Sequence, residues 1–555
     1  TYKLMKKLLL PLLILLAYTS EAQFQFTPFY LDADTNSGYL PDYGHTKPYN
    51  FAVADDKLFF TATTEAMGSE LWVTDGTQSG THITKDIWPG KVSARLSWEG
   101  AILNNRYYFT AHDSAHSDEI WVSDGTQAGT YLVKDIILNN PSSPSSYVPL
   151  NNKILFCAYT YKAPLTCCRE LYSTDGTSSG TSVVKQIYGG YGYYGSLPSK
   201  LTLLNNIGYF YANDSFHGRE LWRTDGTAAG TQLVKDITPG IMSTSFSGFK
   251  SALGKVYFGI HDTSKTELWV TDGTAAGTQS IKILEQKPYP DLPVFIAENK
   301  GYIYFTLRQY LWITDGTSQG TKIVTDKNGQ QVALTSPAAQ TKVIYNNKLY
   351  FANSSRIYVT DGTAVGTYVA VDLNLKQIFN SINYMTVYSD YFFFKAEDTN
   401  GHAYLWCTDG TAANTRIVQP PGSNRNDPLH YNLGMAVFDS VLYFAAAFDN
   451  NATELWSLRD TVKYPIHGVG VTEPMQVVND LEVYPNPSDG HFTVKVDKGL
   501  KGDCQLTVYD ITGKVIDSYP VRETIELNLS GCAPGGYILH LTSGKNTATR
   551  KILVE

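Results

Sequence analysis

The chain has 555 residues, a formal net charge of −8, only 17% charged residues, and 39 Tyr. An acidic chain without a basic run has the wrong electrostatics for a nucleic-acid partner, and its six Cys follow no zinc-ligand spacing. The length is far more than one small core requires.

The first predicted element is a secretory signal peptide over residues 1–22. Met5-Lys6-Lys7 is followed by an apolar run from Leu8 to Ala17, then Ser20-Glu21-Ala22 ahead of Gln23. Basic, then apolar, then small residues at −3 and −1 is the order a signal peptidase reads. The run is too short to span a bilayer comfortably. No Cys follows it to accept a lipid, and no other segment is a transmembrane candidate.

Residues 23–459 are a repeat. Glu-Leu-Trp-Val-Thr-Asp-Gly-Thr-x-x-Gly-Thr begins at Glu70 and returns at Glu119, Glu170, Glu220 and Glu267; it returns with a changed first residue at Tyr310, Arg356 and Tyr404, and frayed at Glu454. A fixed period of this size means one supersecondary unit stacked many times. In the copy around Trp222, residues 200–204, 207–212, 220–224 and 231–237 form four short runs rich in β-branched and aromatic residues. Asn205-Asn206 and Asp225-Gly226-Thr227 separate two pairs of them. Such runs bounded by turn residues read as strands, and Asn-Asn and Asp-Gly tolerate the positive φ of tight hairpins. Four strands per repeat predict an all-β fold: one closed β-propeller of nine blades, or eight if one segment is misread. With strands a to d counted outward, the a–b and c–d turns share one edge and the longer b–c and d–a connections the other. The ninth repeat has strands a to c only, over 433–439, 441–447 and 454–458. Phe29-Tyr30-Leu31-Asp32 resembles Leu233-Val234-Lys235-Asp236, so the N-terminus is expected to supply its outer strand and remove two exposed edges.

Asp75, Asp124, Asp175, Asp225, Asp272, Asp315, Asp361 and Asp409 stand in the c–d turns. Each site offers one carboxylate where calcium takes 6–8 oxygens, so these are read as structural Asx-type turns with no metal and no cofactor. The recurring Trp of strand c (Trp72, Trp121, Trp222 and their equivalents) is read as core between blades, and the Lys-Asp of strand d (Lys85-Asp86, Lys134-Asp135, Lys235-Asp236) as a solvated or inter-blade surface.

Residues that break the repeat are the candidates for ligand binding. His112, Asp113, His116 and Asp118 crowd one b–c loop, where exposed loop polarity outweighs a transition-metal site. Tyr188, Tyr191, Tyr193 and Tyr194 lie in a Gly/Tyr-rich d–a connection that suits adaptable recognition of sugars or proteins. Cys157 is expected to bridge across its hairpin to Cys167 or Cys168, and Cys504 to pair with Cys532. No catalytic residue is identified: there is no nucleophile elbow, zincin helix or P-loop.

Residues 460–480 lose the repeat and contain Pro465, Gly468, Gly470 and Pro474, a linker. Residues 481–555 alternate strands and Gly turns, as a small β-sandwich does. Tyr484-Pro485-Asn486-Pro487, Asp510 and Gly513 after Val508-Tyr509, Gly536-Tyr537 and the terminal Lys551-Ile552-Leu553-Val554 resemble the type A C-terminal sorting domain of the type IX secretion system of Bacteroidota. That resemblance implies export through the periplasm by the type IX machinery, with release or attachment at the outer-membrane surface. The repeats resemble ELWVTDGTxxGT repeats of secreted bacterial proteins, mostly without assigned activity. The sequence reading is therefore a monomeric, noncatalytic, secreted or surface-attached propeller that binds glycans or protein partners. The alternative is a glycosidase-like surface hydrolase with carboxylates in the channel, which needs no local motif.

Overall fold

The computed structural model describes residues 23–31, 46–464 and 481–554, apart from 163–164, 189–194, 242, 263, 288–290, 335–340, 374–381, 399, 424, 430–433, 450–452, 487, 497–503, 511–514, 522–523 and 544–545. The signal-peptide segment and most of the 460–480 linker lie outside the described residues. The chain divides into two compact units, Thr1–Pro465 and Ile466–Glu555. Every regular element described is a β-strand.

The described residues of the first unit form nine sheets, here called modules 1 to 9. Eight have four strands. In module 5 the inner strand is split into Ser245–Phe246 and Lys250–Ala252, both on Lys255–His261. Module 4 shows the common plan: Ser199–Leu204, Ile207–Asn213, Arg219–Thr224 and Gln232–Lys235 pair in order, all antiparallel. The a–b hairpin turns at Asn205 and Asn206 with φ of 49° and 58°, and Asn104-Asn105 and Asn346-Asn347 repeat the pattern. Two successive positive φ values make a hairpin turn whose twist matches its strands, and Asn bears that backbone at low cost.

The outer strand of module 9 comes from the N-terminus. Phe24–Phe29 pairs antiparallel with Glu454–Asp460, setting Pro28 opposite Trp456. The strand lies earlier in the chain than the expected Phe29–Asp32. Phe29 is its last residue, buried with Leu58, Phe60 and Tyr443. Pro28 is tolerated because this strand is the sheet's edge and no ladder donor is needed on its free side. Thr461 continues the pairing through its N–H to Gln23 O, 2.8 Å, and Tyr464 stacks on Tyr388. Residues 460–464 thus belong to the first unit rather than to a linker.

Neighbouring modules are joined by three recurrent devices. Strand c and strand b aromatics fill the seams: Trp121 packs with Phe59 and Tyr107, and Trp222 with Leu155 and Leu171. The turn glycine of one module sits against a strand b tyrosine of the preceding one. A Cβ on Gly176, Gly273 or Gly316 would come within 2.7, 2.3 or 2.6 Å of the hydroxyl of Tyr108, Tyr209 or Tyr257. Gly76 of module 1 meets Tyr443 of module 9 in the same way, at 3.0 Å. Finally, a strand d lysine donates across the seam: Lys85 Nζ to Thr130 O (3.0 Å), Lys134 to Thr181 O (2.7 Å), Lys185 to Thr231 O (2.6 Å), Lys235 to Thr278 O (2.7 Å) and Lys282 to Thr321 O (2.6 Å). The Lys of the Lys-Asp pair is therefore a stitch between modules.

The expected Cys157 bridge to Cys168 does not form, although both side chains are buried. Strand pairing explains it, because Cys157 lies opposite Leu171 and Cys168 opposite Thr160, putting the two thiols on opposite faces of the sheet. The Cys167 side chain lies outside the described residues. Cys532 is likewise unbridged, so the expected pair with Cys504 is absent.

The second unit is a two-sheet sandwich. Leu481–Tyr484, His491–Val496 and Thr524–Asn528 form one sheet; Val515–Val521, Cys504–Asp510, Gly535–Ser543 and Asn546–Val554 form the other. Phe492, Val494 and Leu527 of the first meet Leu506, Val508, Leu539 and Leu541 of the second in one core.

Candidate functional site

The two edges of each module are built differently. At the c–d edge, Asp75 Oδ1 accepts the Thr77 N–H (2.8 Å) and Thr77 Oγ1–H (2.7 Å). The Gly80 N–H donates to Thr77 Oγ1, and Thr74 Oγ1 pairs with Thr81 Oγ1 at 2.7 Å. The same contacts recur around Asp124, Asp175, Asp225, Asp272, Asp315, Asp361 and Asp409. Gly76 is at φ +92°, which the turn requires, and a Cβ on Gly80 would lie 2.0 Å from Asp75 Oδ1; in module 8, where Asn414 takes this second position, its N–H to Thr411 Oγ1 lengthens to 3.4 Å. The Thr77 hydroxyl beside Asp75 holds its carboxyl below the usual range, as Thr227 does for Asp225.

At the b–c and d–a edge a second carboxylate does the holding. Glu70, Glu119, Glu170 and Glu220, the first residues of their motifs, are wholly buried. Glu70 accepts the Ile87 and Trp88 N–H groups (3.1 and 3.3 Å); Glu220 accepts those of Ile237 and Thr238 (2.9 and 3.2 Å) and the Thr244 hydroxyl (2.9 Å). Glu119 and Glu170 take Ser142 and Ser196 in the same way. Each Glu thereby pins the d–a connection that crosses above it. Burial pushes the Glu70 carboxyl up to about 8 and those of Glu119 and Glu220 to about 7, against the pull of the donated N–H groups. In the sequence this Glu reads only as a marker of the repeat. The available signal was its loss in modules 6 to 8, at Tyr310, Arg356 and Tyr404.

The His/Asp group of module 2 separates into two pairs. His112 Nδ1 lies 2.7 Å from Asp118 Oδ1, directly across the hairpin, and His112 stacks on Trp88 with ring centroids 4.9 Å apart. His116 Nδ1 lies 2.8 Å from Asp113 Oδ2, while Asp113 also accepts the Ala115 and His116 N–H groups. The second pair is a loop device: Asp214 and His217 repeat it in module 4 at 2.6 Å, and Asp262 caps Ser264 and Lys265 in module 5. The Asp113 hydrogen bond raises the His116 pKa, and Asp214 raises that of His217. Among the described residues no three His, Cys, Asp or Glu side chains gather as a metal site.

Tyr188 is half-buried at the start of its connection, whereas Tyr191, Tyr193 and Tyr194 lie outside the described residues. The connection returns at Gly195, which bridges to Arg169; a Cβ there would come within 2.8 Å of the Arg169 nitrogen. Six exposed apolar side chains, Val92, Trp98, Leu138, Leu197, Phe216 and Ile241, sit in the b–c and d–a connections of modules 1 to 5, whereas the c–d turns expose Val365 in module 7.

In the second unit Asn486 Oδ1 accepts the Leu553 N–H at 2.9 Å, and Ser488 N–H donates to Leu553 O at 3.0 Å. The Tyr-Pro-Asn-Pro segment is thus tied to the last strand. Tyr484, Pro485 and Asn486 are exposed. Asp510 lies opposite Tyr537, next to Gly536, and the Tyr537 hydroxyl donates to Ala533 O at 2.7 Å. Pro487 and Gly513 lie outside the described residues.

Comparison with known proteins separates the two units. Among solved structures, a puromycin hydrolase is 14% identical, with 73% of this chain and 58% of that chain covered and a TM-score of 0.35. A Mycobacterium tuberculosis puromycin-hydrolyzing peptidase is 10% identical over 72% and 58%, with a TM-score of 0.35. One of two prolyl endopeptidases is 9% identical over 73% and 54%, with a TM-score of 0.33. The chain spans less than two thirds of each, and scores this low transfer no activity. No curated protein matches. Residues 482–555 match the family described as secretion system C-terminal sorting domain, so the chain carries a type IX sorting domain and is cargo for export to the cell surface or the medium.

Proposed function

We propose that the first unit is a single closed ring of nine blades that binds glycans or protein partners, without catalysis, through its b–c and d–a connections. Ring closure is supported by Phe24–Phe29 pairing with Glu454–Asp460 and by the Gly76–Tyr443 contact between modules 1 and 9. The observation that carries the binding reading is the contrast between edges. The c–d turns repeat one hydrogen-bond pattern in eight modules and offer little to discriminate with. The opposite connections vary in length and sequence, and in modules 1 to 4 they carry exposed apolar side chains and are anchored from beneath by buried glutamates. Rigidly supported variable loops are the usual seat of recognition. Residues 1–22 act as the signal for the first export step, to the periplasm, and 481–555 for the second.

Two experiments test this. Deleting Leu481–Glu555 should retain the protein in the periplasm; wild-type levels in the medium would refute the export route. The full chain, screened against glycans and surface proteins and against glycoside substrates, should bind without turnover; hydrolysis would favour an enzyme instead.

A further inference from the structure

Two arginines occupy one equivalent position on the binding edge. Arg169 of module 3 and Arg219 of module 4 each directly precede the buried Glu of strand c, and no other module has a cation there. Each guanidinium reaches back across strand b to a serine of the inner strand: Arg169 donates to Ser145 Oγ and, at 3.4 Å, to Cys157 O, and Arg219 donates to Ser199 Oγ. Each also lies over a strand b ring, Arg169 5.4 Å from the Tyr159 centroid and Arg219 5.8 Å from that of Tyr211.

Neither guanidinium has a carboxylate partner among the described residues. Arg219 Nε is cut off from solvent and unpaired, and burial lowers the Arg219 pKa. A cation held away from water without a counter-charge is costly, and an oxyanion would relieve it. The planar fork of Arg fits a carboxylate two-pronged. Exposed apolar surface lies beside Arg169: the Tyr159 ring beneath it is 37% exposed and Leu197, whose N–H donates to Arg169 O, is 40% exposed. Such surface takes the CH face of a sugar ring. An acidic peptide added as a strand needs a free sheet edge, but the strands bearing both arginines are already paired on both sides.

We propose that Arg169 and Arg219 form an oxyanion subsite for the carboxylates of a uronic-acid polysaccharide; this rests on the binding reading above and narrows its ligand class. The test is affinity electrophoresis of the full-length protein in gels containing polygalacturonate, its methyl ester, neutral galactan or polyglutamate. Retardation by polygalacturonate is expected, at least tenfold weaker in Arg169→Gln/Arg219→Gln, partly kept in Arg169→Lys/Arg219→Lys, and lost with the methyl ester. The ester arm alters only the ligand, so it decides the matter even if the double variant does not fold. Equal binding of ester and acid, or an unchanged folded double variant, overturns the subsite. Equal Arg-dependent retardation by polyglutamate overturns the saccharide assignment. Binding only to neutral galactan sinks the subsite and leaves the binding reading standing, whereas a full chain that binds no glycan or protein sinks both.

Discussion

In modules 1 to 4 both edges depend on a carboxylate and handle it in opposite ways. At the c–d edge the donors lie two residues from the Asp, so the carboxylate can stay near water and build the same turn eight times. At the other edge the donors come from 16–26 residues away, and the Glu must be buried to reach them. Local hydrogen bonding therefore yields uniformity. Long-range bonding yields a fixed anchor under connections whose sequence is free to vary, which is what a recognition surface needs.

Titration should expose this difference most strongly, because it acts on several modules at once. The turn aspartates have lowered pKa values, so their stabilisation is present above their unfolded value of 3.8 and is lost as pH falls through the folded one. The buried glutamates are raised from 4.5 to about 7 or 8, so theirs is complete below 4.5 and is lost as pH rises through 7 to 8. Urea midpoints should peak at about pH 4–5 and decline on both sides. A midpoint that climbs steadily from about pH 5 to 8.5 would mean that the glutamates are ionised in their seats.

Single substitutions sharpen the contrast. Glu220→Ala orphans the Ile237 and Thr238 N–H groups and the Thr244 hydroxyl. It should cost about 2–4 kcal/mol and loosen residues 237–244 in hydrogen exchange; unchanged exchange there would contradict the anchoring role. Gly230→Ala places a Cβ 2.1 Å from the Asp225 carboxyl and should cost about 2–3 kcal/mol, since both the turn bond and the local backbone are disturbed. Asp225→Ala should cost about 1–2 kcal/mol, with hydrogen exchange of the d–a connection unaltered. The smallest effect belongs to Asn414→Gly. Asn414 stands where the other turns have Gly, and its Nδ2 donates to Asp409 Oδ2 at 2.6 Å. Restoring Gly should change the unfolding free energy by less than about 0.5 kcal/mol. A larger loss would show that module 8 depends on the side-chain bond.

The period, four strands per repeat, the Asn-Asn and Asp-Gly turns, an outer strand borrowed from the N-terminus and the sorting tail were all legible in the sequence. Each rests on local chemistry: alternation along a strand, positive φ at a hairpin, and a carboxylate bonding two residues on. What depends on register and on neighbours from other modules emerged only on folding. Folding set the N-terminal strand at Phe24–Phe29, turned the Cys157 and Cys168 thiols to opposite faces, and made the Lys of strand d a stitch to the next module. It split the His/Asp loop into two pairs and buried the repeated Glu beneath a distant connection. It also revealed Arg169 and Arg219 as cations without a carboxylate partner among the described residues, because charge compensation is settled by what packs around a side chain and cannot be read from its position in the motif.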